Sequence, residues 1–443
     1  MGIAFGTDGI RGVANVELTP ELALALGRAG PRVLGGERWL IGADTRASGP
    51  MLVAALSAGL AAAGADVVDL GVAPTPAVAF HAAHDGVPAA VVSASHNPHT
   101  DNGIKLLAAG GRKLSDHVED AISAAMAAMP SAGGAGPAAG RIERHPDPLG
   151  PYIDHVVGAL EGRTLGGMRV VVDCANGAAH LTAPEVLRRL GATVTVLNAV
   201  PDGTNINDGC GSTHPEVLQK VVVEAGADAG LALDGDADRV VAVDHEGRLV
   251  DGDRIIALCA ADLLRRGVLR NGAVAVTVMS NLGLRRALAG LGIGVVETAV
   301  GDRYVLEALE AGDLSLGGEQ SGHVVFRDLA TTGDGVLTGV VLLDAVRRAG
   351  RSLAELAAEI MTRFPQVLRN VRVADREGLA GSRAVWDEVA AVEAELGAEG
   401  RVLLRPSGTE PLVRVMVEAP TEQQAGTLAG RIGDAVLAAL GPA

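Results

Sequence analysis

Aromatic side chains are nearly missing from this chain: two Trp, two Tyr and four Phe make up 2% of its 443 residues. Its cores must therefore be built mainly from Ala, Val and Leu. Cysteine is equally scarce. Cys174, Cys210 and Cys259 are odd in number and far apart, and no CxxC pair is present to hold a metal. That usage excludes a disulfide framework and suits a reduced, cytoplasmic protein. No apolar run reaches the roughly 18 residues that span a bilayer, and the region after Met1 lacks a basic-then-apolar signal. Positive charge is in deficit, with 37 Lys and Arg against 53 acids and a net charge of −16. Such a surface repels nucleic acid and anionic membrane, so neither is expected as a partner. A phosphorylated ligand would have to be gathered by local basic groups.

What is present is ample apolar material, 48% of the chain, with 20% charged residues. A length of 443 exceeds what one core organises, so three to four domains are expected. Three stretches share one grammar: a helical run ends at a Gly and feeds straight into a Val-rich strand. They are residues 60–68 with Gly64, 187–196 with Gly191, and 288–296 with Gly292. In each, Gly supplies the helix C-cap and the β-branched run reads as a buried strand. Each unit also opens on an apolar strand, at 39–43, 168–172 and 273–278. The repetition argues for three related α/β domains, although any α/β protein contains such units.

Residues 130–140, PSAGGAGPAAG, cannot bury a core and read as a linker. Softer boundaries fall near Val250 and at Phe364-Pro365, which divides the chain into 1–150, 151–250, 251–364 and 365–443. The last piece is too short for another doubly wound unit. Its pattern of strand, helix, two strands and an amphipathic helix from Thr421 is that of a small α+β module.

Four motifs carry candidate chemistry. Val91-Val92-Ser93-Ala94-Ser95-His96-Asn97-Pro98 is an apolar strand ending in a turn, expected to push a hydroxyl and an imidazole into the open. Ligands gather at such strand ends, yet the motif lacks a G-x-S-x-G elbow and also reads as an ordinary polar turn. Leu233-Asp234-Gly235-Asp236-Ala237-Asp238-Arg239 sets three carboxylates at alternate positions between two apolar strands. Crowded like charges are costly without a cation, and hard oxygen donors point to Mg²⁺. An EF-hand would need Gly and Glu where Arg239 and His245 stand, so that reading fails. A phosphatase with an aspartyl nucleophile stays open on this motif alone.

Gly317-Gly318-Glu319-Gln320-Ser321-Gly322-His323 offers an acceptor, a mixed donor and a titratable group suited to sugar hydroxyls. Arg405-Pro406-Ser407-Gly408-Thr409-Glu410-Pro411, with Arg414 beyond, supplies guanidiniums, hydroxyls and exposed amides that can cradle a phosphate. A charged surface turn is the plain alternative. Of the remaining histidines, His81 and His84 fall on an expected helix and read as structural. His145 and His155 show no partner pattern.

Together these four loops resemble, in order, the signature loops of the α-D-phosphohexomutase family, and the resemblance covers essentially the whole chain. Phe5-Gly6-Thr7-Asp8-Gly9-Ile10-Arg11-Gly12, Asp101-Asn102-Gly103-Ile104-Lys105 and Val300-Gly301-Asp302-Arg303-Tyr304 are most similar to the branch acting on glucosamine phosphates. The resemblance implies three α/β domains with mixed sheets and a smaller α+β C-terminal domain around a central active-site cleft. It implies an intramolecular phosphotransferase in which Ser95 cycles as phosphoserine. One Mg²⁺ would be held by Asp234, Asp236, Asp238 and a phosphate oxygen on Ser95. Glucosamine 6-phosphate and glucosamine 1-phosphate would interconvert through a 1,6-bisphosphate, which also serves as activator; glucose or mannose phosphates are the alternative substrates. His96, Lys105 and Arg239 would stabilise charge near Ser95, with Arg11 and Arg303 as further candidates. His323 would do acid–base work or orient the sugar, and Glu319 and Ser321 would contact it. Arg405, Ser407, Gly408, Thr409 and Arg414 would hold the non-reacting phosphate. The family also implies a homodimer. One departure is Ala237, where many members have Gly; it leaves the spacing of the three carboxylates intact.

Overall fold

The computed structural model describes residues 9–128, 139–407 and 410–442. The expected linker, but for its last two residues, lies outside them. So do residues 5–8 of the opening motif and Gly408 and Thr409 of the fourth. The chain divides into two units, one of residues 1–277 with 293–358 and one of residues 278–292 with 359–443.

The first unit holds three mixed sheets that repeat one plan. In the first, Arg38–Ala43 pairs in parallel with Asp66–Val72 on one side and Ala89–Val92 on the other, and Asp101–Ala108 then adds antiparallel. In the second, Arg169–Asp173 lies between Thr193–Leu197 and Ala229–Leu233, both parallel, and Val240–Asp244 adds antiparallel. In the third, Ala273–Thr277 lies between Gly294–Thr298 and Leu316–Gly318, and Val324–Phe326 adds antiparallel. The first sheet extends further, with Ile10–Val13 on Asp101–Ala108 and Ile142–Arg144 on Asp66–Val72. The repeated grammar in the sequence is thus a repeated topology.

The local cause is visible at the helix ends. Gly64, Gly191 and Gly292 take φ of +95°, +88° and +72°. Their amides return to the carbonyls of Ala61, Arg188 and Ala289, which closes each helix and turns the chain into its strand. Small side chains do the packing. The helices Pro20–Leu34 and Gly49–Ala62 approach so closely that a Cβ on Gly27 would meet the Leu56 carbonyl at 2.3 Å, and one on Gly59 the Leu24 carbonyl at 2.3 Å. The core beneath them is Leu, Ile, Val and Ala around a single wholly buried ring, Trp39.

The second unit is built on a three-stranded antiparallel sheet in which Leu412–Glu418 lies between Gln366–Arg372 and Arg401–Pro406. The helices Arg383–Leu396 and Glu422–Leu440 cover it, burying Val389, Val392, Leu428, Ile432 and Val436 against Val371, Val413, Val415 and Val417. Each fully buried Val or Leu contributes on the order of 2 kcal/mol, so a core of this kind needs no large rings. No helix of the described residues is long and apolar enough to cross a membrane.

Candidate active site

In every one of the three mixed sheets, the connection between the third strand and its antiparallel fourth carries a motif. Ser95 lies between Ala89–Val92 and Asp101–Ala108, the aspartates between Ala229–Leu233 and Val240–Asp244, and Glu319 to His323 between Leu316–Gly318 and Val324–Phe326. These are carboxyl ends of parallel strands, where partial charges and open backbone groups collect ligands.

Ser95 does not project into the open as its turn suggested. It is fully buried, with its backbone at a left-handed φ of +53°, because the aspartate loop and Asn207 pack over it. Its hydroxyl donates to Asp234 Oδ2 at 2.5 Å and its amide donates to Ser93 Oγ at 2.9 Å. Asn207 Nδ2 donates to the Ser95 carbonyl at 2.9 Å.

Asp234, Asp236 and Asp238 are all buried and offer one oxygen each within 4.8 Å of one another. Lys105 Nζ donates to Asp236 Oδ2 at 2.8 Å and lies 3.6 Å from Asp238 Oδ2. Thr75 Oγ1 donates to the same Asp236 oxygen at 2.7 Å. Burial, reinforced by Asp238 and Asp236, pushes the Asp234 carboxyl well up. Burial also works against ionisation of Asp238, but Lys105, His323 and Arg239 outweigh it and hold that carboxyl well down. Asp236 Oδ1 and Asp238 Oδ1 are buried without a hydrogen-bond partner. Buried carboxylate oxygens are rarely left so. An all-oxygen donor set with two orphaned oxygens fits a hard divalent cation such as Mg²⁺. The turn that gathers the carboxylates places Ala237 at φ +59°, a left-handed conformation that Gly would adopt without strain. Its carbonyl accepts from Gly335 N at 2.9 Å, at the start of the helix Gly335–Ala349.

Arg239 Nη1 donates to His96 Nδ1 at 3.1 Å. A guanidinium cannot accept, so His96 carries its proton on Nε2. Burial, then Arg239 and Arg11, hold the His96 imidazole below its ordinary range, so it is neutral at pH 7. Arg11 lies on the edge strand opposite Gly103. His323 is buried with Nδ1 3.6 Å from Asp238 Oδ2, while its Nε2 accepts from Gly333 N at 3.2 Å. Both ring nitrogens thus face protein groups, the geometry of a residue that orients Asp238. Glu319 Oε1 accepts from Gly301 N at 3.2 Å, and Ser321 is exposed. The loop carrying them is joined to the aspartate loop, since Val240 N donates to the Gly322 carbonyl at 3.1 Å. Arg303 is buried and turned to Asp116 and to Glu119, 2.8 Å away, where it ties its helix to Asp116–Ala127.

In the second unit the fourth motif is again a hairpin connection. Arg405 and Arg414 stand directly opposite on adjacent strands. Like charges so placed repel, which an anion would relieve. Burial, then Arg414, lower the Arg405 guanidinium. Ser407 is buried, its Oγ accepts from Glu410 N at 3.3 Å, and Arg376 Nη1 braces its carbonyl at 2.8 Å. Arg414 also lies 3.7 Å from Glu410.

The first unit therefore brings together Ser95, His96, Lys105, Arg239, the three aspartates and His323, with Glu319 on the adjoining loop. Sequence reasoning missed Thr75, Asp44, Arg46, Ser93 and Asn207. The first three had a signal: Asp44-Thr45-Arg46 and Thr75-Pro76 both follow apolar strands of the first sheet, at the same carboxyl edge as Ser95.

The chain matches the models of phosphoglucomutase/phosphomannomutase alpha/beta/alpha domains I, II and III at residues 2–132, 150–247 and 251–364. It also matches the C-terminal domain of that family at 368–435. It is 56% identical over 449 residues to a phosphoglucosamine mutase of Frankia alni, covering 98% of each chain. To a phosphoglucosamine mutase of Desulforudis audaxviator it is 53% identical over 431 residues, 95% of each chain. Among solved structures, a phosphoglucomutase/phosphomannomutase family protein from Burkholderia thailandensis superposes with a TM-score of 0.82 at 28% identity, over 98% of this chain and 97% of that one. The Aspergillus fumigatus N-acetylphosphoglucosamine mutase, solved with GlcNAc-6P and magnesium, shares the fold with a TM-score of 0.73 at 21% identity, over 99% of this chain and 96% of that one. The chain belongs to the phosphoglucomutase/phosphomannomutase family, the α-D-phosphohexomutases, and is an enzyme of the mutase class.

Proposed function

We propose that this enzyme interconverts glucosamine 6-phosphate and glucosamine 1-phosphate in the cytoplasm, through phospho-Ser95 and a 1,6-bisphosphate intermediate. The observation that carries the reading is the Ser95 hydroxyl set 2.5 Å from one carboxylate of a buried aspartate triad. It stands in a chain similar along nearly its whole length to proteins named phosphoglucosamine mutase.

Phospho-Ser95 gives its phosphoryl group to the free hydroxyl of the sugar phosphate. One P–O bond to the sugar forms as the bond to Ser95 Oγ breaks. The sugar hydroxyl loses a proton and Oγ takes one up. The bisphosphate turns around and its other phosphate returns to Ser95, so atoms and charge balance over the cycle. Asp234, Asp236 and Asp238 would hold Mg²⁺, which would neutralise charge on the transferring group. Lys105 and Thr75 fix Asp236, and His323 fixes Asp238. Neutral His96 has its Nε2–H to donate, and Arg239 and Arg11 add positive charge beside it. Glu319 and Ser321 are assigned to the sugar. Arg405, Ser407, Gly408, Thr409 and Arg414 are assigned to the phosphate that does not react. A glucosamine 1,6-bisphosphate or similar bisphosphate primes Ser95, and the active species is taken to be a homodimer.

The test compares kcat/KM on glucosamine, glucose and mannose 6-phosphates, with Mg²⁺ and a trace of bisphosphate. Glucosamine 6-phosphate is expected to be preferred. A preference for either neutral sugar overturns the substrate assignment. Full turnover by Ser95→Ala overturns the phosphoserine cycle.

A further inference from the structure

Arg46 is one of the largest side chains that is wholly buried, at 1% exposure. A guanidinium cannot shed its charge, so burial obliges it to find acceptors for its five N–H groups. It finds them almost entirely in the serine loop. Nη2 donates to the Ser95 carbonyl at 2.9 Å and the Asn97 carbonyl at 2.8 Å. Nη1 donates to the Pro98 carbonyl and to that of Asp101 at 3.0 Å. Nε donates to Asp44 Oδ2 at 2.9 Å, and the Arg46 amide donates to Asp44 Oδ1 at 3.0 Å.

The other side of Ser95 is tied to the same ion pair. Ser93 Oγ donates to Asp44 Oδ2 at 2.6 Å and accepts the Ser95 amide at 2.9 Å. The amide and the carbonyl of Ser95 are thus both held by Asp44 and Arg46. This matters because Ser95 sits at φ +53°, which L-residues avoid and leave unless the surroundings over-determine it. Relaxation to negative φ would swing Oγ away from Asp234.

We propose that Arg46 is a positioning residue for phosphoryl transfer: it spans the loop 95–101 and, through Asp44 and Ser93, locks Ser95 in its left-handed conformation. Oγ then meets each phosphate of the intermediate along the same line. The role needs a planar fork with donors in several directions, which an ammonium does not supply. It rests on the reading that Ser95 carries the phosphoryl group, and the experiment separates the two. Wild-type enzyme, Arg46→Lys and Ser93→Ala are incubated with glucose 1,6-bisphosphate and Mg²⁺. Ser95 phosphorylation is followed by intact mass and peptide mapping, alongside kcat and KM. Arg46→Lys is expected to lower both the phosphorylation rate and kcat by about 10- to 100-fold, with KM within roughly threefold, as a misplaced reacting atom does. Ser93→Ala, a small change that should leave folding intact, is expected to lower the same two rates by about tenfold. Wild-type phosphorylation and kcat in both variants overturn the role of Arg46 and leave the phosphoserine reading standing. A wild-type enzyme that never gains phosphate on Ser95 overturns that reading and this proposal with it.

Discussion

Replacing Thr75 by Val keeps the shape of a buried side chain and removes one hydroxyl, which makes it a sharp probe of the aspartate triad. Asp236 Oδ2 receives two donors, Thr75 Oγ1 at 2.7 Å and Lys105 Nζ at 2.8 Å, and Oδ1 is left unpartnered. That division decides which oxygen is offered to a cation. A hydrogen bond to a charged group is worth about 1.5–3 kcal/mol. Loss of a group that orients a metal ligand typically costs about 10- to 100-fold in affinity, or roughly 1.4–2.7 kcal/mol, so the two routes agree. The backbone bond from Thr75 N to the Asp236 carbonyl, at 2.9 Å, survives the substitution, so the loop should stay in place. The expected result is an Mg²⁺ half-saturation raised by about 10- to 100-fold, with kcat at saturating Mg²⁺ within about threefold of wild type. Direct titration of Mg²⁺ by calorimetry should show the same loss, and Thr75→Ser, which restores a hydroxyl, should recover most of it. An unchanged Mg²⁺ affinity in Thr75→Val would refute the claim that the outer donors select the ligating oxygen.

Asp236→Asn should weaken Mg²⁺ support more strongly than Thr75→Val; an unaltered metal dependence removes Asp236 from the ligand set. Ala237 pays about 1–2 kcal/mol for its left-handed φ, while Gly in its place would cost about 0.5–1 kcal/mol through the unfolded chain. Ala237→Gly should therefore change stability in denaturant by between zero and about +1.5 kcal/mol, and a clear loss would mean the Ala methyl packs favourably. Burial pushes the Asp334 carboxyl from 3.8 up to about 6, where it accepts from Tyr152 and caps the helix Gly335–Ala349. The folded protein holds that proton more tightly than the unfolded chain, so this stabilisation is complete at low pH and is lost as pH rises through about 6. Asp334→Asn should gain on wild type by about 2 kcal/mol between pH 4 and pH 7, and a pH-independent difference would contradict the assignment. Arg414→Met removes the charge opposite Arg405, so it should raise the stability of the unliganded protein slightly while weakening binding of the sugar phosphate at least tenfold. Unaltered phosphate affinity, measured as KM, would take Arg414 out of the cradle.

Much of the fold could be read from local rules. Gly64, Gly191 and Gly292 announce helix ends because a left-handed cap has few other solutions. The Val-rich runs that follow them are strands as expected, but only Asp66–Val72 is buried through its middle. Thr193–Leu197 and Gly294–Thr298 lie at the edges of their sheets and stay half-exposed, because nothing among the described residues pairs with their outer side. Residues 60–68, 187–196 and 288–296 each correspond to the end of a helix and the strand after it. Of the three antiparallel fourth strands, only Val240–Asp244 was legible, and only as an apolar run. Their pairing depends on contacts between residues distant in sequence, and those contacts place all three motifs at one topological position.

The candidate site divides along the same line. Composition and spacing set three carboxylates on one turn, which is the basis for expecting a cation there. They also put a serine, a histidine and a lysine close along one strand and its turn. Tertiary structure decided the rest. It buried Ser95 instead of exposing it, and turned His323 to Asp238. Arg303 went to an ion pair with Glu119, and Thr75 came 161 positions across the chain to Asp236. The reason is physical: spacing along a strand sets which groups are near neighbours, but burial, tautomer and hydrogen-bond partner are set by whatever packs on top, which no local pattern encodes.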